Sequence, residues 1–375
     1  MTQRPSIRVR TDGFSLTELL IAMTLGLILT GGIFAVFSGN KRSSSLNTEM
    51  ANMQESIRFA LNDITEDVQM AGYQGCADLN SGTVEIIAKD SPSIDLRSTV
   101  VSGSVIRPDA SWYPAPALGG FNTPDSVTPR VGTHTIALQY GKNPSSGLTG
   151  AQGNDGTPSP IGPLVLENTI DVDVNELALV STCESGEIFR VSEASIALDG
   201  TMTLSHASSH NIRDRFQQIY GLDANIAQTR VMPFTTRVYF VADTGEDKPD
   251  GENLYALYQQ TMPFNEESNP PVILVEGVEN MRIRFGIGAS NGQLQFVTAD
   301  DAAYDPTQIR SVRIGLLMSS YAPLLDSPDS KSYVLSGDVI GRSSSDNTAA
   351  SYANDERLRL AFNTTVAVRN RRAQN

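Results

Sequence analysis

Residues 10–37 read RTDGFSLTELLIAMTLGLILTGGIFAVF. From Phe14 to Phe37 every residue is apolar, small or hydroxylated except one, Glu18. At about 1.5 Å per residue this run gives roughly 36 Å of helix, enough to cross a hydrocarbon core of about 30 Å. A carboxylate in such a span costs on the order of 2–3 kcal/mol at the bilayer centre and less near an end. Glu18 therefore needs a reason. The preceding leader, MTQRPSIRVRTDG (1–13), sets Arg4, Arg8 and Arg10 against Asp12. Such a leader stays cytoplasmic and sends the bulk of the chain outward, although Lys41 and Arg42 beyond the span weaken the bias.

A secretory signal peptide has a shorter apolar core, about 7–15 residues, and a small-residue cleavage site after it. This run is longer and no A-x-A follows Phe37. A plain signal anchor fits the length and leaves Glu18 unexplained. GFSLTELLIA (13–22) resembles the type III signal of type IV pilins and of the related type II secretion pseudopilins. The resemblance implies that a prepilin peptidase cuts after Gly13 and N-methylates Phe14, leaving the apolar helix on the protein. Cleavage exposes an ammonium on Phe14, one helical turn from Glu18. A buried ammonium and a buried carboxylate are each costly, and pairing them offsets much of the penalty. Between staggered subunits each Glu18 would meet a neighbour's amine and so set the register of assembly.

From Lys41 the chain becomes polar, with no breaker before Gly72. Leu46, Met50, Met53, Ile57, Ala60, Ile64, Val68 and Ala71 recur at spacings of three and four, one stripe of an amphipathic helix. We read one helix from Phe14 to about Ala71, apolar all round over 14–37 and on one face over 38–72. The stripe predicts packing against a downstream domain of the same chain rather than a coiled coil. Gly26, Gly31 and Gly32 weaken the first part, each by about 1 kcal/mol relative to Ala, and fit either local unwinding or close helix packing.

The chain has 375 residues, 40% hydrophobic and 19% charged, enough for a sizeable core. Its net charge of −14 argues against nucleic acid as the main partner. The two cysteines, Cys76 and Cys183, are too few and too far apart for a zinc site. In an exported domain they would pair as a disulfide; two buried thiols are the alternative.

After Gly72 the pattern changes to short runs of β-branched and aromatic residues: 135–141, 186–194, 236–243, 253–260, 281–288, 293–299, 311–320 and 357–372. An antiparallel sheet on the helix stripe gives an α+β fold; the pilin resemblance implies a pilin-like arrangement, with 73–375 as a β-rich periplasmic or extracellular domain. Six Gly and four Pro between Gly141 and Pro163 mark a loop that would divide this region into two lobes. RPDASWYPAPALGGF (107–121) holds the lone tryptophan, Trp112, either as loop packing or as a partner surface. MAGYQGC (70–76), LVEGVENMRIRFGI (274–287), IRSVRIGLLMSS (309–320) and RLRLAFNTTVAVRNR (357–371) look like the PilW family of minor pilins.

No catalytic constellation stands out, and neither G-x-x-x-x-G-K-[ST] nor H-E-x-x-H is present. The reading is of a non-enzyme without cofactors. His206 and His210 have a spacing that ligates metal on a helix, without an evident third ligand. In ADTGEDKPDGEN (242–253), Asp243, Asp247 and Asp250 are weak calcium candidates; the default is a solvated hairpin. DVDVNE (171–176) is expected as an exposed or edge strand.

The PilW resemblance implies a single-pass inner-membrane protein, N-terminus inside, that moves to the pilus tip on assembly. Its implied partners are other minor pilins, the major pilin, a PilY1-type tip adhesin, the inner-membrane assembly platform and the prepilin peptidase. It would prime assembly and support twitching motility and adhesion. Two other readings remain: a type II secretion minor pseudopilin of the GspJ kind, and an anchored enzyme or binding module with an uncleaved leader.

Overall fold

The computed structural model describes residues 15–76, 83–89, 100–114, 127–154, 157–222, 226–249, 251–261, 270–288, 293–342 and 351–370. Gly13, Phe14 and Asp250 lie outside them. A single α-helix, α1, runs over Leu16–Met70, two residues inside the expected start and one inside the expected end. Its turns hold through Gly26, Gly31 and Gly32, where a Cβ would meet nothing within 4 Å.

The chain forms two compact units, Met1–Asn52 and Met53–Asn375, with the boundary inside α1. In the first, the apolar run is bare: Leu19, Leu20, Ile21, Leu27, Phe34 and Phe37 are all more than half exposed. Its most apolar 18-residue window has mean hydropathy 2.4 and no buried residue, so the helix meets the length and composition needed to cross a membrane.

In the second unit, α1 buries Met53, Ile57, Ala60, Ile64 and Val68, the stripe read from spacing. The strands that follow, in chain order, begin with β1 (Thr83–Ile86), β2 (Val101–Ile106), β3 (Trp112–Tyr113) and β4 (His134–Gly141). Then come β5 (Gly153–Asn154), β6 (Thr157–Pro158), β7 (Leu164–Leu166), β8 (Leu177–Ser181), β9 (Ser185–Arg190), β10 (Glu193–Ile196) and β11 (Met202–Ser205). Next are β12 (Arg230–Asp247), β13 (Asn253–Thr261), β14 (Val272–Glu276), β15 (Val278–Gly288) and β16 (Leu294–Val297). The last are β17 (Ile309–Pro323), β18 (Tyr333–Leu335), β19 (Asp338–Arg342), β20 (Ser351–Tyr352) and β21 (Arg357–Ala367).

Nine of these strands make one sheet in the order β1-β9-β8-β12-β4-β2-β3, with β13 and β14 branching from β12. The branch is possible because β12 is 18 residues long. Its start pairs β8, its middle pairs β4, and its second half pairs β13 along the other edge. A second, antiparallel sheet runs β16-β15-β17-β21. The two approach where Gly103 on β2 leaves room for Phe285 on β15; a Cβ there would come within 2.3 Å of the ring. The Gly- and Pro-rich stretch 141–163 leads into a small β10-β11-β7 sheet, over a core that includes Phe189, Phe216 and Tyr220.

Several local expectations change. The run 186–194 is two strands, β9 and β10, interrupted at Val191 and Ser192. Residues 171–176 form no strand but a turn in which Asn175 takes φ 74° and Glu176 accepts the Asp173 N–H. Trp112 is buried, edge-on to Phe240 at 5.7 Å, so it packs the core, while Tyr113 beside it is exposed. His206 and His210 lie on no helix. His206 is buried against Phe216, with ring centroids 4.0 Å apart.

Candidate assembly site

The start of α1 explains part of what Glu18 does. Ser15 Oγ accepts the Glu18 N–H at 3.2 Å, and Glu18 Oε2 accepts the Ser15 N–H at 3.0 Å. Glu18 Oε2 also accepts the Ser15 hydroxyl at 3.0 Å. This is a reciprocal capping box, Ser at the N-cap and Glu three residues on, satisfying amides that the helix end leaves open. The S-x-x-E spacing was present in the opening stretch and the sequence reading passed over it. Glu18 thus has a partner within its own turn, and the carboxylate favours the positive end of the helix dipole.

The far end of α1 is held more elaborately. Asp67 lies on the buried stripe, three residues after Ile64, yet it is charged. Its carboxylate accepts the Tyr140 and Tyr239 hydroxyls, each at 2.5 Å. Arg237 Nη1 donates to both its oxygens at 3.2 and 3.1 Å. Tyr140 comes from β4, and Arg237 and Tyr239 from β12, so one side chain ties the helix to the two central strands. Burial pushes the Asp67 carboxyl up, against the pull of Arg237 and the two hydroxyls. Burial and the Asp67 charge also push both phenols up, out of the physiological range.

Two further devices close the helix end. Gly72 adopts φ 78°, a left-handed cap that only glycine takes cheaply, and its N–H reaches Gln139 O at 2.8 Å. Asn370 Nδ2 then lies 3.1–3.2 Å from the Gln69, Met70 and Ala71 carbonyls. Just beyond, Cys76 is disulfide-bonded to Cys183 in the turn between β8 and β9, with Cα atoms 4.5 Å apart.

A second charged cluster clamps the strands of the four-stranded sheet. Glu279 on β15 accepts from Arg359 on β21 at 2.9 Å and from Lys248 at 3.2 Å. Arg359 also pairs with Asp355 at 2.7 Å and is fully covered. Burial works to raise the Glu279 carboxyl, but Arg359, Lys248 and Arg130 outweigh it and hold it at about 2.

The calcium candidates are engaged otherwise. Asp243 accepts the Gly245 N–H at 2.9 Å and the Asn253 side-chain amide, while Asp247 sits opposite Asn253 in the β12–β13 ladder. Among the described residues no group of three His, Cys, Asp or Glu is arranged to hold a metal ion.

Residues 238–370 match the family model described as Type IV Pilus-assembly protein W. Residues 8–34 match the prokaryotic N-terminal methylation motif. Among solved structures, a type IV-like pilin from Thermus thermophilus aligns at 17% identity over 36% of this chain and 78% of its own, with a TM-score of 0.20. That superposition is too loose to carry weight. No curated protein matches the chain. A methylation-motif N-terminus and a PilW-type region thus stand in one polypeptide, and over these two stretches the chain is similar to PilW-like minor pilins of the type IV class.

Proposed function

We propose that this chain is a subunit of the priming and tip complex of a type IV pilus. It waits in the inner membrane by the first part of α1, with its N-terminus cytoplasmic and its β domain periplasmic. A prepilin peptidase cuts after Gly13 and N-methylates Phe14. The freed ammonium then competes with Ser15 for Glu18, in the same chain or in a neighbour. Other minor pilins, the major pilin and the assembly platform engage the helix, and the β domain carries contacts to a PilY1-type adhesin that supports twitching and adhesion. The role is structural: the chain supplies surfaces, and energy for assembly comes from elsewhere.

The observation that carries this reading is the pairing of a methylation-motif helix, wholly exposed in its apolar part, with a PilW region. The PilW match also favours the pilus over a type II secretion pseudopilin. Mass spectrometry of the mature N-terminus should find N-methyl-Phe14. A Glu18→Ala strain should lose piliation and co-purification with other minor pilins. Normal piliation in that strain, or an uncleaved leader, would sink the proposal.

A further inference from the structure

β15 has a gap in its pairing. On one side it pairs β17 along most of its length, but on the other β16 reaches only Phe285 to Gly288. Among the described residues no strand stands on that side at Ile283. The imidazole of His134, from β4 of the other sheet, fills the place. Both the N–H and the carbonyl of Ile283 lie 3.0 Å from its Nδ1. Its Nε2 lies 3.0 Å from Arg282 Nη1.

Either neutral tautomer keeps a bond to Ile283: with the proton on Nδ1 the ring donates to the carbonyl and Nε2 accepts from Arg282, and with the proton on Nε2 the bare Nδ1 accepts the Ile283 N–H. A doubly protonated ring has no acceptor left, setting N–H against N–H at Ile283 and at Arg282, and one positive charge against another at 3.0 Å in a dry site. Facing the ring are Arg282 on β15 and, farther off, Asp338 on β19 and Asp300. Asp338 is engaged with Arg284 at 2.5 Å, and Val105, opposite on β2, carries no charge.

We propose that His134 is an acid-sensitive latch that closes the seam between the nine-stranded and four-stranded sheets when neutral and releases it when protonated. The latch joins β4 of the nine-stranded sheet to β15 of the four-stranded one, so acid would loosen the second sheet from the strands β4 and β12 that hold Asp67. Burial first, and then the Arg282 charge, hold the His134 imidazolium down at about 4, against an ordinary 6.5. Between those values the released form binds a proton that the closed form refuses. Closure is therefore complete above about 6.5 and is lost as pH falls towards 4.

Hydrogen exchange of the full chain in detergent micelles, corrected for intrinsic rate, tests this between pH 7 and 4. Protection of residues 278–288 should fall on the order of a hundredfold across that range in the wild type. In His134→Gln, whose amide can donate and accept but not titrate, it should stay nearly flat. Equal loss in both proteins, or none in the wild type, overturns the latch. Should the variant fail to fold, NMR titration of the ring resonances in the wild type decides. A His134 signal titrating near 4 in step with exchange at Ile283 supports the latch, and one titrating at 6.5 or apart from that exchange overturns it.

Discussion

Two carboxylates on the same helix, Glu18 and Asp67, live under opposite rules. Glu18 sits at the end of a segment whose apolar side chains are bare, and its bonds stay within its own first turn. Asp67 sits where the helix is covered, and every hydrogen bond its side chain makes comes from strands far along the chain. The first is held by one neighbour in an exposed turn. The second is held by three side chains in a covered one. A helix apolar on all sides is built to meet other helices or lipid, whereas one apolar stripe with a charged pin is built to meet one fixed surface.

Replacing Asp67 by Ala breaks the pin, leaves two buried tyrosine hydroxyls without their acceptor and leaves the half-buried Arg237 without its main partner. It should cost about 3–5 kcal/mol of unfolding free energy in denaturant titrations of the full chain. Removing the Cys76–Cys183 bridge with serines acts on the same end of the helix. It should cost about 5 kcal/mol on the chain-entropy account of a loop of 107 residues. If Asp67→Ala leaves stability unchanged, the contrast fails at its stronger end.

Acid sharpens the comparison at the sheet. Glu279 is held at about 2 against an ordinary 4.5, so its contribution is whole above about 4.5 and is lost as pH falls through 2. That amounts to about 3 kcal/mol. Glu279→Gln should flatten the acid limb of an unfolding curve in this window, and an unchanged limb would show that the cluster is not what acid breaks. The smallest effects belong to the bare end. Ser15→Ala or Glu18→Gln removes half a capping box and should cost about 1 kcal/mol or less in stability, while Glu18→Gln still disrupts co-purification with other minor pilins. A large stability loss in either would mean that the first turn is a fold element rather than an assembly element.

Much of this was legible before any coordinates. The helix and its stripe were read from spacing, and the runs at 135–141, 236–243, 253–260, 281–288 and 311–320 all lie in β4, β12, β13, β15 and β17. What escaped shares a cause. Asp67 fits the stripe by position, but a rule that counts apolar residues skips a charged one. RLRLAF suggests leucines in and arginines out, yet Arg357 and Arg359 are buried with Leu358 because Glu279, Asp355 and the carbonyl of Ser320 await them. β1 pairs parallel with β9, a hundred residues away, and nothing local signals that. Turn chemistry also won at 171–176, where alternation suggested a strand and Asn175 supplied a left-handed residue. Short-range patterns report periodicity. They do not report which distant group will satisfy a charge.

The Asn370 contact turns that distance into an order of events. The last carbonyls of α1 are bonded by a side chain 300 residues downstream, so the first element of the fold can only be finished by a late one. Contacts of such separation are slow to form, because a long loop must close before they contribute. During synthesis the end of α1 therefore waits, frayed, until the strands of the PilW-matched region have arrived and β21 has docked. A subunit truncated before Asn370 would betray itself by an open helix end, which gives a quality-control protease a concrete mark to find.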